Sequence, residues 1–390
     1  MRYLLPLLFT LFIFSCDEPA PTVAGDEPRD PLIDSAEKYD QLFHSVKENN
    51  IAFASVYSDL ALTYATKADY QQGIADGTAG KGFVAYKMSH FDLAMASYTD
   101  ALKLYENEHD SVHIAECCYY TGEIYCAQKN YEEAAVMVER GMMYRQGQNA
   151  YAGISADQQL LGKIHSQKGD YKNAFLDFEQ SISSERQAGD SLGVAKAIAA
   201  LGSVYTMSGD ADQGLSRHLF ALKKIDSMNV DMSAVSVQRY KATLLNEMAG
   251  EYFLGGDYGQ AIKTGESGLQ LATMIGAREE QRTAYKTLAE LQGLAGREDI
   301  QMQYMEKYIA LNDSLTKEDN EQWKAAQALR YDLAQADAEA ARLKSEQLEQ
   351  QLADEQNKAE QNLMIVMIVA IVVLLSLGGF IIAMRSKFRK

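Results

Sequence analysis

Residues 161–178 read Leu161-Gly-Lys-Ile-His-Ser-Gln-Lys-Gly-Asp-Tyr-Lys-Asn-Ala-Phe-Leu-Asp-Phe178, and similar segments recur along the chain in steps of 40 residues. The small residue near the start of each segment is a glycine, at positions 82, 122, 162 and 202. A fixed period of about 20–50 residues is typical of a solenoid, in which each unit buries its apolar face against its neighbours. The sequence therefore predicts an all-α chain of stacked helical repeats with an extended concave surface.

Proline placement and net charge narrow the class of protein. All five prolines lie in the first 31 residues, so no proline interrupts a helix in the rest of the chain. The net charge of −17 argues against nucleic-acid binding, which requires a basic face. Cys117, Cys118 and Cys126 share one predicted helix and are expected to be buried thiols. No catalytic, phosphate-binding or metal-binding pattern stands out, so we expect a protein that is not an enzyme and has no cofactor.

The N-terminus has the form of an export signal. An apolar run over residues 3–14 follows Arg2 and is too short to span a bilayer. It ends at Ser15-Cys16, which resembles the lipobox of bacterial lipoproteins, and this resemblance implies a lipid on Cys16. An ordinary cleaved signal and an uncleaved anchor are the alternatives. Residues 17–33 are rich in proline and acidic side chains, which predicts a disordered spacer after the signal at 1–16.

The C-terminus carries a candidate transmembrane helix. Residues 363–384 contain no charged side chain, and a helix of this length spans roughly 33 Å at about 1.5 Å per residue. The basic tail 385–390 follows, and positive flanking charge favours the cytoplasmic side. These features predict a single-pass protein of a bacterial inner membrane, with most of the chain periplasmic and the C-terminus cytoplasmic.

The repeated unit resembles the tetratricopeptide repeat (TPR). That pattern asks for Gly in the first helix and for Ala and aromatic residues at set distances, which Gly162, Tyr171, Ala174 and Phe178 supply. The resemblance covers residues 34–313 and implies a right-handed solenoid of six or seven helix-turn-helix units. The sixth unit, around residues 248–261, comes 47 residues after the previous one and is expected to follow an insertion.

Residues 314–362 predict a long charged helix between the repeats and the apolar segment. Ala326, Leu329 and Leu333 begin a series spaced three and four apart, the spacing of a coiled-coil seam. A single amphipathic helix packed against the last repeat is the alternative. Trp323, the only tryptophan, is expected to be a packing anchor. A homodimer through residues 318–384 is an open possibility.

The layout of repeats, charged helix and span is similar to the extracytoplasmic half of TPR sensor kinases and regulators of Bacteroidetes-type bacteria. The phrase Tyr308-Ile-Ala-Leu-Asn-Asp-Ser-Leu315 belongs to this resemblance. No phosphoacceptor helix, ATP lid or helix-turn-helix output domain is recognisable, so no output activity is carried over. The resemblance implies a sensor-like half that binds a ligand.

Candidate binding residues follow from the TPR resemblance alone. In that family the first helix of each unit lines the inner face, three positions before and one after the small residue. The positions implied here are Phe83, Tyr119, Glu123, Gln159, Lys163, Asn246, Lys286 and Glu290. Such a mixed polar and aromatic face suits an extended peptide or a helix of another protein. His109 and His113 lie one turn apart, as metal ligands can, but are expected to be solvated residues at a joint between repeats.

Two functions follow from these expectations. The first is a membrane-tethered TPR protein that binds a protein or peptide outside the cytoplasm, as scaffold or sensor. The alternative is a receptor subunit that signals through its span to a separate histidine kinase or transcription regulator.

Overall fold

The computed structural model describes residues 30–227 and 234–387, and every regular element within them is an α-helix. The signal segment, Cys16, most of the spacer and the last three residues lie outside the described residues. The helices are α1 (Pro31–Val46), α2 (Ile51–Lys67), α3 (Gln71–Lys87), α4 (Phe91–Asn107), α5 (Ser111–Ala127), α6 (Tyr131–Gly147), α7 (Tyr151–Lys168), α8 (Tyr171–Ala188), α9 (Ser191–Met207), α10 (Ala211–Asp226), α11 (Val235–Leu254), α12 (Tyr258–Met274), α13 (Arg278–Leu294) and α14 (Glu298–Lys387).

The fourteen helices form seven consecutive pairs, each an odd-numbered helix packed against the next. From α1 to α10 each helix begins 20 residues after the one before it, so one pair fills the 40-residue period. Each odd-numbered helix from α1 to α11 also contacts the next odd-numbered helix, whereas the even-numbered helices do not pair in this way. The odd-numbered helices therefore line the inner side of a TPR-like solenoid, as the repeat pattern predicts.

Small residues allow the two helices of a pair to approach closely. A Cβ atom added at Gly162 in α7 would lie 2.6 Å from the ring of Phe178 in α8. The glycine thus leaves room for the aromatic ring of its own pair, which explains why the repeat pattern combines these residue types. The three cysteines of α5 are buried and carry free thiols.

Most joints between helices turn at one residue with a left-handed backbone. These residues are not glycine in the first half of the chain, where they are Asp69, Ser89, His109, Lys129 and Asn149. In the second half they are Gly169, Gly189, Gly209, Gly256, Gly276 and Gly296. His109 is therefore a joint residue, as predicted. His113 instead lies in the first turn of α5, where its ring stacks on Tyr105 at 4.9 Å and its Nδ1 lies 2.6 Å from Asp110 Oδ2.

The substitution Lys129→Gly is expected to stabilise the protein by about 0.5–1 kcal/mol. The backbone of Lys129 has a φ of 65°, which is strained for a residue with a Cβ atom. Relief of this strain exceeds the entropic cost of ordering a glycine when the chain folds. Gly169→Ala should lower the free energy of unfolding by about 1 kcal/mol, since φ is 86° there. Urea denaturation would measure both, and a shift of the same sign in both variants would contradict the argument.

Helix α1 begins at Pro31, three residues earlier than the boundary expected from the sequence. Asp30 caps the helix, because its Oδ1 accepts a hydrogen bond from the backbone N–H of Leu32 at 2.9 Å. Proline is favourable in the first turn, where its missing N–H would have no partner. The last proline of the spacer thus starts the first helix.

Helix α14 is 90 residues long and makes two separate contacts with the repeats. Its first part packs against α13 and completes the seventh pair. Further along, the segment 323–337 packs against α2 of the first pair, with Ala326 only 1% exposed. We call this contact between α2 and residues 323–337 the clasp. Trp323 packs in it, as its expected role as an anchor requires.

Neither sequence-based interpretation of the charged helix anticipates the clasp. Ala326 and Leu329, two residues of the proposed seam, pack against the first pair of helices rather than the last. Beyond the clasp, Ala340, Leu343 and the residues up to 362 are exposed. The apolar residues Ala326 and Leu329 are thus covered by α2 of the same chain, without a second copy of α14.

The final part of α14 carries the apolar segment predicted from the sequence. The helix is long and apolar enough to cross a membrane, with a mean hydropathy of 2.1 in its most apolar window and no residue of that window buried. It is the one such helix among the described residues.

Candidate binding groove

The inner surface forms one continuous groove from α5 to α13. Its largest hollow, of about 500 Å³, lies between α5, α7, α9 and α11. Two further hollows, of about 480 and 360 Å³, extend it towards α13 and share Tyr240, Thr243 and Glu247 with their neighbours. The groove is therefore long enough for an extended segment rather than a compact small molecule.

The 40-residue register stacks equivalent side chains into columns along the groove. Tyr119, Gln159 and Ala199 occupy one position in successive odd-numbered helices, and Glu123, Lys163 and Ser203 occupy the next inward position. Each helix repeats the geometry of the one before it, so side chains 40 residues apart line the same hollow. The floor between the columns is apolar and includes Leu160, Phe178, Val204 and Met207.

Glu123 is held in place at one wall of the largest hollow. Its Oε2 accepts a hydrogen bond from the Tyr86 hydroxyl at 2.6 Å, and its Oε1 lies 4.0 Å from Lys163 Nζ. Burial, reinforced by this hydrogen bond, raises the pKa of Tyr86 well above its ordinary value. Tyr86 therefore stays a neutral donor, while the half-exposed Lys163 amine remains open to a ligand.

Tyr119 rests on a buried ion pair behind the same wall. The Arg145 guanidinium lies 5.7 Å from the centre of the Tyr119 ring and pairs with Asp157 of α7. The Asp157 side chain is completely buried, and this burial raises its pKa to about 6 against the opposing effect of Arg145. The ion pair thus fixes the orientation of an aromatic side chain that faces the groove.

The opposite wall is supported by a buried histidine. His218 is 1% exposed, and its Nδ1 lies 2.6 Å from Glu251 Oε2, while Glu251 Oε1 accepts a hydrogen bond from Thr206. His218 Nε2 lies 3.4 Å from Ser203 Oγ and 3.9 Å from Glu247 in the groove. Burial raises the pKa of Glu247, and His218 opposes this effect.

Ser203, His218 and Glu251 have the residue types of a hydrolytic triad, but their setting lacks an essential part. Ser203 lies in the interior of α9, where successive N–H groups are used in helical hydrogen bonds. A triad needs free N–H donors or equivalent groups to stabilise an oxyanion. The hydrogen bond between His218 and Glu251 links α10 to α11, and Ser203 and Glu247 place polar groups at the groove.

The structure brings four of the implied binding residues together. Tyr119, Glu123, Gln159 and Lys163 all line the largest hollow. Asn246 borders the smaller hollow on α11, whereas Lys286 and Glu290 are exposed on α13 outside the hollows described above.

Phe83 does not lie on the accessible inner surface. It is 3% exposed and packs edge-on against Phe43 at 5.9 Å and Tyr120 at 5.6 Å between ring centres. The Lys47 and Lys87 amines lie 5.2 and 5.1 Å from its ring centre. Aromatic packing fills the inner side of the first three pairs, so a partner cannot reach this residue.

Several residues that line the groove are missing from the binding residues implied by the sequence. Ala199 and Ser203 follow from the same positional rule when it is applied to Gly202. Lys196, Tyr240 and Glu247 also line the largest hollow, but they lie outside the two positions that the rule selects. The insertion before α11 shifts that helix out of the 40-residue register. The residues that α11 adds to the groove can therefore be identified only from the three-dimensional structure.

Comparison with solved structures supports the assignment of the fold. The apo form of RapI is similar with a TM-score of 0.53 and 14% identity, over 72% of this chain and 99% of RapI. A Rap protein complexed with Competence and Sporulation Factor is similar with a TM-score of 0.52 and 14% identity, over 77% and 90% of the two chains. At this identity the likeness concerns the fold, which is that of the TPR-like helical repeat proteins.

Sequence comparison identifies a similarity in the last part of the chain. Residues 277–388 match the family model of EssA, a protein of the WXG100 protein secretion system (Wss). The match covers α13 and α14 and less than a third of the chain. No curated protein sequence matches the chain.

Proposed function

We propose that this chain is a membrane-tethered TPR protein that binds a protein or peptide segment in its inner groove, as scaffold or sensor, outside the cytoplasm. The continuous groove, its columns of polar side chains and its apolar floor support an extended ligand. The Rap protein solved with Competence and Sporulation Factor has a similar fold, which is consistent with binding of another molecule by a fold of this kind.

The observation that carries the proposal is the convergence of Tyr119, Gln159 and the half-exposed Lys163 amine on the largest hollow, above an apolar floor. An aromatic ring, a carboxamide and a cation in one groove offer stacking, hydrogen bonds and charge to a polypeptide. Asn246 borders the next hollow, but its amide atoms are buried without a partner among the described residues, and a Cβ atom at Gly268 of α12 would lie 2.7 Å from its Oδ1.

Tethering is proposed from both ends of the sequence. Residues 363–384 form the single span, with the basic residues after it in the cytoplasm, and the signal segment exports the repeats. A lipid on Cys16 is the second proposed attachment. The repeats then occupy residues 31–313, and residues 314–362 connect them to the span.

Crosslinking in native membranes followed by mass spectrometry tests the groove. We expect a protein or peptide to be captured by the wild type and lost in the triple variant Tyr119→Ala, Lys163→Ala, Asn246→Ala. The matched control replaces the same residue types at exposed positions outside the groove, with Tyr258→Ala, Lys172→Ala and Asn320→Ala. Capture that is unchanged in the groove variant, or reduced equally in both folded variants, would refute the assignment of the site.

The continuity of α14 favours a second function, a receptor subunit that signals to a separate histidine kinase or transcription regulator. One uninterrupted helix joins the seventh pair to the proposed span, so movement of the repeats is transmitted to the membrane segment. Replacing residues 363–384 by an unrelated apolar helix should then abolish signalling while partner capture persists. A scaffold would tolerate that exchange.

A further inference from the structure

The two ends of the solenoid contact each other, which neighbour-to-neighbour repeat packing does not require. In a repeat array each unit normally contacts only the units before and after it. Here α14 of the seventh pair returns to α2 of the first pair. The clasp therefore closes the array into a ring.

The centre of the clasp is small and apolar. Ala52, Val56 and Ala326 are its three buried side chains, and Phe53, Leu60, Trp323 and Leu329 pack partly buried around them. Two small alanines let the helices approach closely, so a larger or charged side chain at either position would separate them.

Polar contacts surround this centre and fix its register. Arg330 pairs with Asp59, which also pairs with Lys81 at 3.2 Å. The Tyr64 hydroxyl donates a hydrogen bond to Asp337 Oδ1 at 2.6 Å, and Lys67 Nζ lies 3.9 Å from the other oxygen of this carboxylate. The charged groups are one third to one half exposed, so they orient the helices without the strength of fully buried pairs.

The clasp involves only residues 323–337 of α14, and its contact with α2 is less extensive than most contacts between successive repeats, with only the contact between α10 and α11 of similar extent. Each repeat interface can change its angle slightly, and changes in seven pairs add up at the point where the ends meet. The least extensive contact of such an array opens first, before the units unfold.

We propose that the clasp is a releasable contact that controls the direction of the exposed helix beyond residue 337. When it is closed, the first pair of helices holds α14 in place. When it is released, α14 is attached to the repeats through the seventh pair alone and turns freely relative to the first pair. The repeats remain folded in both states. This device does not depend on a ligand in the groove.

Trp323 provides a direct measurement, because it is the only tryptophan of the chain and lies in the clasp. For the full chain in detergent, tryptophan emission and helical circular dichroism would be followed across a urea titration. We expect the emission to shift to longer wavelength, and acrylamide quenching to increase, at a lower urea concentration than the loss of helical signal. Coincident transitions would show that the clasp opens only with unfolding and would overturn the proposal.

Variants on α14 separate the clasp from the rest of the helix. Ala326→Glu should give the long-wavelength emission and stronger quenching without urea, while its helical signal and main unfolding transition stay close to wild type. Ala340→Glu is the matched control, since Ala340 is exposed on the same helix, and it should behave as wild type. Wild-type emission in Ala326→Glu, or a loss of its main unfolding transition, would contradict the proposal.

A covalent lock tests the closed state without introducing charge. The pair Ala52→Cys and Ala326→Cys replaces two alanines of the same buried cluster. Oxidation should form a crosslink and move the Trp323 transition to the urea concentration of global unfolding, and reduction should reverse this shift. A crosslink that forms but leaves the Trp323 transition at the lower urea concentration would contradict the proposal.

Discussion

Arg145→Met is expected to lower the free energy of unfolding by about 1–3 kcal/mol at pH 7, because the buried Asp157 carboxylate loses its counter-charge and hydrogen bond and must take up a proton to stay buried. The Asp157 side chain is completely buried, and its Oδ2 has no hydrogen-bond partner in the described part of the chain. Methionine retains most of the packing volume of arginine, so loss of the charge dominates. Urea denaturation would measure the effect.

Arg140→Met is the matched control. Arg140 of α6 pairs with Glu106 of α4, but the Glu106 side chain is 41% exposed and water can solvate it after the substitution. The expected cost is below about 1 kcal/mol. Equal losses in the two variants would show that burial of Asp157 does not determine the effect.

The pH dependence gives an independent check on the same residue. Burial raises the pKa of Asp157 from 3.8 to about 6 in the folded protein, so the folded state binds the proton more tightly than the unfolded state. The resulting stabilisation is fully present below pH 3.8 and is lost as the pH rises through about 6. The penalty of Arg145→Met should therefore shrink between pH 7 and pH 5.

Asp157→Asn in the Arg145→Met background should restore much of the lost stability at pH 7, since the amide carries no charge. It should also remove the difference between pH 7 and pH 5. A double variant as unstable as Arg145→Met at pH 7 would assign the loss to packing rather than to the uncompensated charge.

The second large effect is expected for Gly77→Ala, with a loss of about 1–3 kcal/mol. A Cβ atom at this position of α3 would lie 2.7 Å from the backbone nitrogen of Leu62 and 2.8 Å from its Cα atom in α2. Backbone atoms cannot rotate away as a side chain can, so the two helices must separate. The melting temperature and the urea midpoint should both fall.

Gly250→Ala makes the same chemical change where there is space for it. Gly250 lies within α11, and no atom comes within 4 Å of an added Cβ. Alanine is the better helix former, so this variant should gain up to about 1 kcal/mol. Destabilisation of both variants would contradict the view that the distance between α2 and α3 causes the loss at Gly77.

The sequence predicts the repeat architecture because each pair repeats one local pattern. The spacing from Gly82 to Gly202 sets the register of the helices, and the register places Tyr119, Gln159 and Lys163 on one wall of the groove. These features depend on contacts within a pair and between adjacent pairs. A local pattern is sufficient for contacts of that range.

Features that depend on larger environments could not be predicted in this way. Phe83 has the same position in its helix as Glu123, but Phe43 and Tyr120 enclose it on both sides. The clasp depends on the sum of all rotations between α2 and α14, which no single segment encodes. Trp323 indicates a packing surface on α14, but the sequence does not identify α2 as its partner.

In the proposed membrane-tethered arrangement, the clasp would also determine how far the first pair of helices stands from the bilayer. In the clasp α2 and α14 run in the same direction, since Asp59 meets Arg330 and Tyr64 meets Asp337 further along both helices. Helix α1 runs opposite to α2, with Tyr39 stacked on Tyr64 at 5.5 Å, so Pro31 points towards the apolar segment.

Chain lengths are compatible with both of the proposed attachments, the lipid on Cys16 and the span, in one bilayer. About 26 residues of helix separate Asp337 from the start of the proposed span, or about 39 Å, and Pro31 lies roughly 12 Å nearer than Tyr39. The remaining gap of about 27 Å is shorter than the 46–50 Å that about 14 extended residues between Cys16 and Asp30 can reach. A lipid on Cys16 and the proposed span can therefore lie in the same bilayer. The segment between Cys16 and Asp30 is longer than the gap, so it would let the first pair of helices move when the clasp opens.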